Sequence, residues 1–305
     1  MVNCMKKIVF IVILGIVVLI SSYFAWLYFS NPSTSPLNPT LKVNFLDVGQ
    51  GDATLIIFPD GQEMLVDCGR DAIILAALAR VRHWQDRTLD YLVVTHPDAD
   101  HYGGCIDVLK QYTVKHIYFN GFAKENSQLL QTFHQTVLDE ENIGADFIIV
   151  SSSKELFIAS TSIRFLYPDH SIVQNPRVPG ESSIESNNTS IVMKISYGKL
   201  SVLLTGDMEM PLENYLIKKY GSILNVEVLK IGHHGSKSSS GEEFLGRVMP
   251  QYCVISSGQN NSYGHPALRV LKRLARSGCQ ILRTDSLGDI LAIITLEKIT
   301  IHAQK

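Results

Sequence analysis

The stretch His96-Pro97-Asp98-Ala99-Asp100-His101-Tyr102-Gly103-Gly104 holds two imidazoles and two carboxylates within six positions, directly behind the run Asp90-Tyr-Leu-Val-Val-Thr95. That run reads as a buried strand emptying into a ligand-bearing loop. Four water-preferring groups so close together are costly to bury unless each meets a cation or a hydrogen-bond partner, and the intervening residues supply neither. The stretch therefore reads as half of a two-metal site. A solvated polar loop is the alternative, and segments further along the chain weigh against it.

Four such segments place an imidazole, carboxylate or carboxamide just after a predicted strand: Asn187-Asn188-Thr189-Ser190, Leu203-Leu-Thr-Gly-Asp207, Leu229-Lys-Ile-Gly-His233-His234-Gly-Ser236 and Ser256-Ser-Gly-Gln-Asn-Asn-Ser-Tyr263-Gly-His265-Pro266. Strand ends are where α/β sheets gather ligands. Between them, residues 41–46, 53–58 and 63–66 are β-rich and separated by Gly49-Gln-Gly51 and Asp60-Gly61, which predicts antiparallel strands. Helices are predicted over 72–81 and 127–141. Two more are bracketed by Pro211 and Gly221 and by Pro266 and Gly278. Strands are expected near 163–166, 190–195, 201–204, 226–231 and 252–256. The polar segment from Pro168 to Asn188 is long enough to cover a site. With no fixed repeat and no second linker, residues 41–305 form one catalytic domain.

His96-x-Asp98-x-Asp100-His101-x-Gly-Gly, Thr-Gly-Asp207 and His233-His234-Gly-Ser resemble the metallo-β-lactamase superfamily of metal-dependent hydrolases. Adding Asp47-Val-Gly-Gln-Gly-Asp52-Ala, Asp67-Cys-Gly69, Asn187-Asn-x-Ser190 and Asn261-x-Tyr-Gly-His265-Pro, residues 41–305 are similar to the extracellular hydrolase domain of the ComEC family of DNA-uptake competence proteins. The resemblance implies an α/β, four-layer αββα sandwich with a binuclear centre. In it His96 and Asp98 bind one divalent ion, Asp100 and His101 the other, and Asp207 bridges them. One of His233 and His234 completes the second ion, His233 being taken as the ligand. Asp98 stands where the superfamily has histidine, and another usual histidine is replaced near Asn187 or Asn188. Harder oxygen donors bring Mn²⁺ alongside Zn²⁺ as the metal. Two ions about 3.5–4 Å apart hold a hydroxide and stabilise a leaving oxygen. Asp100, His234 and His265 are the catalytic candidates, with Asp47 and Asp52 supporting the ligands from behind.

From Ile8 to Phe29 the chain is uncharged and apolar, about 33 Å as a helix against a hydrocarbon core of about 30 Å. Lys6 and Lys7 precede the run and no Lys or Arg follows until Lys42, which puts residues 1–7 in the cytoplasm and the hydrolase outside. A cleaved signal peptide is the alternative, but Tyr23, Phe24, Trp26 and Tyr28 suit an interfacial belt better than a cleavage site. Residues 30–40, with three prolines, read as a tether. Beyond the span, 25 basic residues face 29 acidic ones, about −4, so a polyanion meets no global attraction and must be held locally. Of five cysteines, Cys68, Cys105, Cys253 and Cys279 lie outside the span without a Cys-x-x-Cys pair. Buried free thiols are favoured over two disulfides in any of three pairings.

Arg269, Lys272, Arg273 and Arg276 recur at i, i+3, i+4 and i+7, a basic stripe that could grip a nucleic-acid backbone or be only the wet face of an amphipathic helix with Leu268, Leu271 and Leu274 inside. The expected activity is phosphodiester hydrolysis, with DNA as substrate and the DNA-uptake machinery as partner. A small phosphodiester, a lipid headgroup or a lactam is the alternative substrate. A non-catalytic DNA-binding module is the alternative class.

Overall fold

A computed structural model describes residues 15, 19–23, 39–83, 85–123 and 127–304. Most of the expected span and tether therefore lies outside the described residues. Gly15 and residues 19–23 are helical, and among the described residues no helix is long and apolar enough to cross a membrane. The chain divides into two compact units, Met1–Pro39 and Thr40–Lys305, and the second carries every candidate site residue.

Its strands are β1 (Leu41–Phe45), β2 (Thr54–Ile57), β3 (Glu63–Val66), β4 (Thr88–Val94), β5 (Thr113–Phe119), β6 (Asp146–Ile149), β7 (Lys154–Ile158), β8 (Thr161–Tyr167), β9 (Val192–Tyr197), β10 (Leu200–Leu204), β11 (Val228–Lys230), β12 (Tyr252–Ile255), β13 (Gln280–Arg283), β14 (Ile290–Ile294) and β15 (Ile299–Ala303). They form two sheets, in the orders β15-β14-β1-β2-β3-β4-β5-β6 and β13-β12-β11-β10-β9-β8-β7. The first three strands pair antiparallel, as their turn residues predict, and β3 to β6 run parallel. In the second sheet β7 to β10 are antiparallel and β10 to β13 parallel.

Val43, Phe45 and Ile56 of the first sheet meet Phe165, Met193 and Ile195 of the second in a dry middle layer. Helices Ile73–Val81, Cys105–Gln111 and Gln128–Asn142 cover the outer face of the first sheet through Ile74, Leu78, Val108 and Phe133. Helices Met210–Tyr220, Glu242–Val248 and Leu268–Ser277 cover the second through Leu212, Leu216, Phe244 and Val270. Sheets covered on both faces need apolar residues on both, which is why β4 turns continuously buried towards Val94 instead of alternating. The result is the expected αββα sandwich. Its parallel strands matter for function: β3 and β4 deliver Asp67 and His96 to one edge, and β10, β11 and β12 deliver Asp207, His234 and Ser256.

Two expectations are corrected. Cys68–Cys105 and Cys253–Cys279 are disulfides, with Cα atoms 5.1 and 5.9 Å apart, not free thiols. Burial beside apolar neighbours suits either state, and only the folded chain brings the partners within bonding reach. The basic stripe is also broken. Arg273 is buried and donates to the carbonyls of Ser239, Ser240 and Lys237, while Arg276 pairs with Glu242. Arg269 and Lys272 remain exposed, and so does Leu268.

Candidate metal centre

The His96–Gly104 stretch leaves β4 and turns at once into a one-turn helix, Ala99–Tyr102, capped by Asp98 in extended conformation. Its paired glycines are steric. A Cβ at Gly103 or Gly104 would overlap the Arg70 or Cys68 carbonyl oxygen, so the segment lies against the loop after β3. Cys68 N–H donates to the His101 carbonyl at 2.7 Å, and the Cys68–Cys105 bridge ties the two segments together.

This packing puts Asp67 behind His101. The Asp67 carboxylate accepts from His101 Nδ1, Thr95 Oγ1 and Thr95 N, each at 2.8 Å. Because Thr95 Oγ1 gives its proton to Asp67, it can accept from His96 Nδ1 at 3.1 Å. His234 Nδ1 donates to the Ser256 carbonyl at 3.0 Å. All three imidazoles thus have Nδ1 committed to an acceptor, which leaves Nε2 as the nitrogen turned to the cluster and open to a metal once its proton is displaced.

Those nitrogens converge. Ligand atoms of His96, His101 and Asp207 lie within 4.8 Å of one another, as do those of Asp100, His101 and His234, and those of Asp52, Asp207 and His234. His234 Nε2 is 3.3 Å from Asp100 Oδ2 and 3.5 Å from Asp207 Oδ2. His101 Nε2 is 3.2 Å from Asp207 Oδ1 but not aligned for a hydrogen bond. Nε2 of His96, His101 and His234 and Oδ1 of Asp207 are buried without a hydrogen-bond partner among the described residues. Native folds rarely leave such groups unsatisfied, and several aimed at one point fit divalent ions. Asp98 sits at the rim, its Oδ2 3.9 Å from His96 Nε2 and its Oδ1 accepting from Ser186 Oγ at 2.8 Å.

The electrostatics agree. Burial pulls the His234 imidazole down, but Asp207 and Asp52 outweigh it and hold it at about 10. His101 is likewise raised against its burial by Asp207 and Asp67. Burial would raise Asp207, yet His234 and His101 hold it well below the usual carboxylate range. The carboxylates thus demand positive charge here, which protons supply when metals do not. Asp52 is compensated on its far side by Lys230, a buried lysine at the end of β11.

His233 and His234 diverge because both hold left-handed backbone, φ 45° and 51°. This costs a non-glycine residue about 1–3 kcal/mol and marks functional sites. It brings His234, not His233, into the cluster. His233 lies outside, its Nδ1 2.8 Å from Glu209 Oε1 and its Nε2 3.9 Å from Asp207 Oδ2. The His265 ring centroid is 5.3 Å from that of His233, and burial followed by the charges of His233 and His234 pushes His265 down to about 4.

Two anticipated residues face elsewhere. Asn188 Oδ1 accepts from Glu209 N, and Ser190 stands beside the ligands instead, its Oγ 3.3 Å from His96 Nδ1 and accepting from Asp207 N. Asp47 closes its own turn by accepting from Gly49 N, and its backbone is held by Asp289 and Arg80. Sequence reasoning assigned no role to Asp67, Lys230, Glu209 or Ser190. For Asp67 and Ser190 the signal was present in the family-like motifs; for the other two there was none.

The metallo-beta-lactamase superfamily model matches residues 46–258. ComE operon protein 3 of Bacillus subtilis is 30% identical over 82% of this chain and 32% of its own length. Competence protein ComA of Neisseria gonorrhoeae is 30% identical over 84% of this chain and 33% of its own. The chain thus spans about a third of the curated relatives it matches. The crystal structure of Tm1679, a metal-dependent hydrolase of the beta-lactamase superfamily, superposes with a TM-score of 0.50 at 13% identity, covering 80% of this chain and 95% of that one. Fold, motif order and family model agree that this chain belongs to the metallo-beta-lactamase superfamily.

Proposed function

We propose that the chain is a membrane-anchored, extracellular phosphodiesterase that cleaves DNA, held by the apolar segment Ile8–Phe29 and working beside DNA-uptake machinery. The observation that carries the hydrolase reading is the convergence of partnerless Nε2 atoms from His96, His101 and His234 on Asp207. The relative named a competence protein supports DNA as substrate, and two disulfides suit an oxidising compartment.

His96, His101, Asp100, Asp207 and His234 would hold two divalent ions, Zn²⁺ or Mn²⁺, with Asp98 at the rim. When bound, such ions lower the pKa of water towards about 7 and neutralise charge on a leaving oxygen. The protein's own groups do the rest. Asp67 and Thr95 fix the tautomers of His101 and His96. Glu209 accepts from His233 Nδ1 and so holds the ring with Nε2 turned towards Asp207, where it can exchange a proton with the leaving group. His265 stays neutral at neutral pH and donates a hydrogen bond to a phosphate oxygen. The roles expected of His233 and His234 are thus exchanged.

The histidine missing near Asn187 or Asn188, with Ser190 instead standing beside His96, favours one further reading: a weakly metallated module that captures DNA without cutting it. The test is the purified full chain with end-labelled DNA, a chromogenic phosphodiester and a β-lactam, with and without Mn²⁺ or Zn²⁺. The proposal expects about two metals per chain and DNA cleavage abolished by Asp207→Ala. Cleavage of the lactam alone refutes it, and metal-free protein that binds DNA supports the module.

A further inference from the structure

Beside the candidate ligands the surface opens into a cavity of about 410 Å³ whose lining includes Arg70, Asp98, Asp100, Tyr102, Leu129 and Tyr263. That volume is in the range, about 300–1,000 Å³, of cavities that hold a small-molecule-sized group. Asp98 and Asp100 belong to that lining, so whatever fills the cavity lies beside the candidate metal centre.

Arg70 is exposed and pairs with no carboxylate among the described residues. In a domain carrying a net negative charge, an uncommitted guanidinium beside the active carboxylates is where an anion would be held. Tyr263 is 60% exposed, an unusual place for a large ring unless it serves as a contact surface. It is not loose. Its ring stacks on His265 with centroids 5.9 Å apart and planes 24° apart. Asn261 holds the turn beneath it, accepting from the amides of Tyr263 and His265 at 3.2 and 3.0 Å and donating to the Gly258 carbonyl at 2.9 Å. A rigid aromatic face backed by an imidazole is a pre-organised platform, so little entropy is lost when a flat group settles on it.

We propose that this cavity receives the nucleotide next to the scissile bond of single-stranded DNA, with Tyr263 stacking on the base and Arg70 pairing with the flanking phosphate. The proposal rests on the phosphodiesterase reading. Stacking needs an unpaired base, so the cavity makes the enzyme prefer single strands to duplex.

The test uses the metal-loaded full chain and short end-labelled single-stranded oligonucleotides carrying one abasic unit or one neutral methylphosphonate, scanned along the strand. In the wild type, one abasic position near the cleaved bond lowers kcat/KM about tenfold, and one methylphosphonate position does the same. In Tyr263→Ala the intact strand is slowed similarly and the abasic unit has no further effect, while Tyr263→Phe restores the discrimination. In Arg70→Gln the methylphosphonate penalty disappears. Each comparison is between substrates on one protein preparation, so a folding defect cancels. Abasic and methylphosphonate penalties that persist unchanged in the variants overturn the subsite and leave the phosphodiesterase standing. Equal cleavage of duplex and single strand overturns it as well. A wild type that cleaves no DNA removes both proposals.

Discussion

Asp67→Asn is the most informative perturbation, because Asp67 lies behind the candidate ligand His101 and holds its Nδ1. Its carboxylate accepts three hydrogen bonds, two from Thr95 and one from His101 Nδ1. An asparagine oxygen can keep one or two of these, but its NH₂ must then face a donor. Either His101 moves its proton to Nε2, the atom aimed at the cluster, or the ring rotates away. Losing one charge-assisted bond in a buried site costs about 1.5–3 kcal/mol of stability. Breaking the carboxylate–histidine–metal relay weakens metal binding about 10–100-fold, or about 1.4–2.7 kcal/mol. Competition against a chelating dye gives the affinity, and urea unfolding of the metal-free protein gives the stability. Affinity within about twofold of wild type would refute the view that Asp67 fixes the His101 tautomer.

Three further outcomes are expected. Lys230→Met strands the buried Asp52 carboxylate and costs about 3–5 kcal/mol in urea unfolding, and a loss below about 1 kcal/mol would show that Asp52 does not depend on this cation. Burial pushes Glu213 from 4.5 up to about 7, although the Ser240 and Gly241 amides donate to it. A carboxyl that keeps its proton longer in the folded chain stabilises it fully below the unfolded value, and that contribution, about 3 kcal/mol, is lost as pH rises from about 4.5 to 7. Melting curves across this window should show the decline in the wild type and a flatter profile in Glu213→Gln, and identical profiles would argue against it. Each disulfide, closing 37 or 26 residues of chain, contributes roughly 3.5–4 kcal/mol in the chain-entropy view. Mass spectrometry of non-reduced peptides should recover the pairs 68–105 and 253–279, and titration of four free thiols outside residues 1–39 would contradict them.

Much of the architecture was legible because it is local. Turn residues at 49–51 and 60–61 announced a hairpin series, and proline and glycine marked both ends of the helices Met210–Tyr220 and Leu268–Ser277. His96 to His101 were legible as a candidate site for the same reason, since four ligand-type groups share one hexapeptide that is costly to bury without cations to hold. The Arg273 error shows the limit. Helical periodicity describes a residue's own element, and it cannot know that the Lys237–Ser240 carbonyls close over that side of the helix.

What the sequence determined by itself is therefore the set of chemistries available and the order in which strands present them. Which of two adjacent histidines enters the cluster was decided by tertiary structure, through left-handed backbone at both. So were the buried cation behind Asp52, Lys230, which lies 178 residues along the chain, and the pairing of the four cysteines. The physical reason is that tautomer, charge state and disulfide partner depend on neighbours within a few ångströms. In a sandwich of two mixed sheets, those neighbours come from distant strands that meet at one edge.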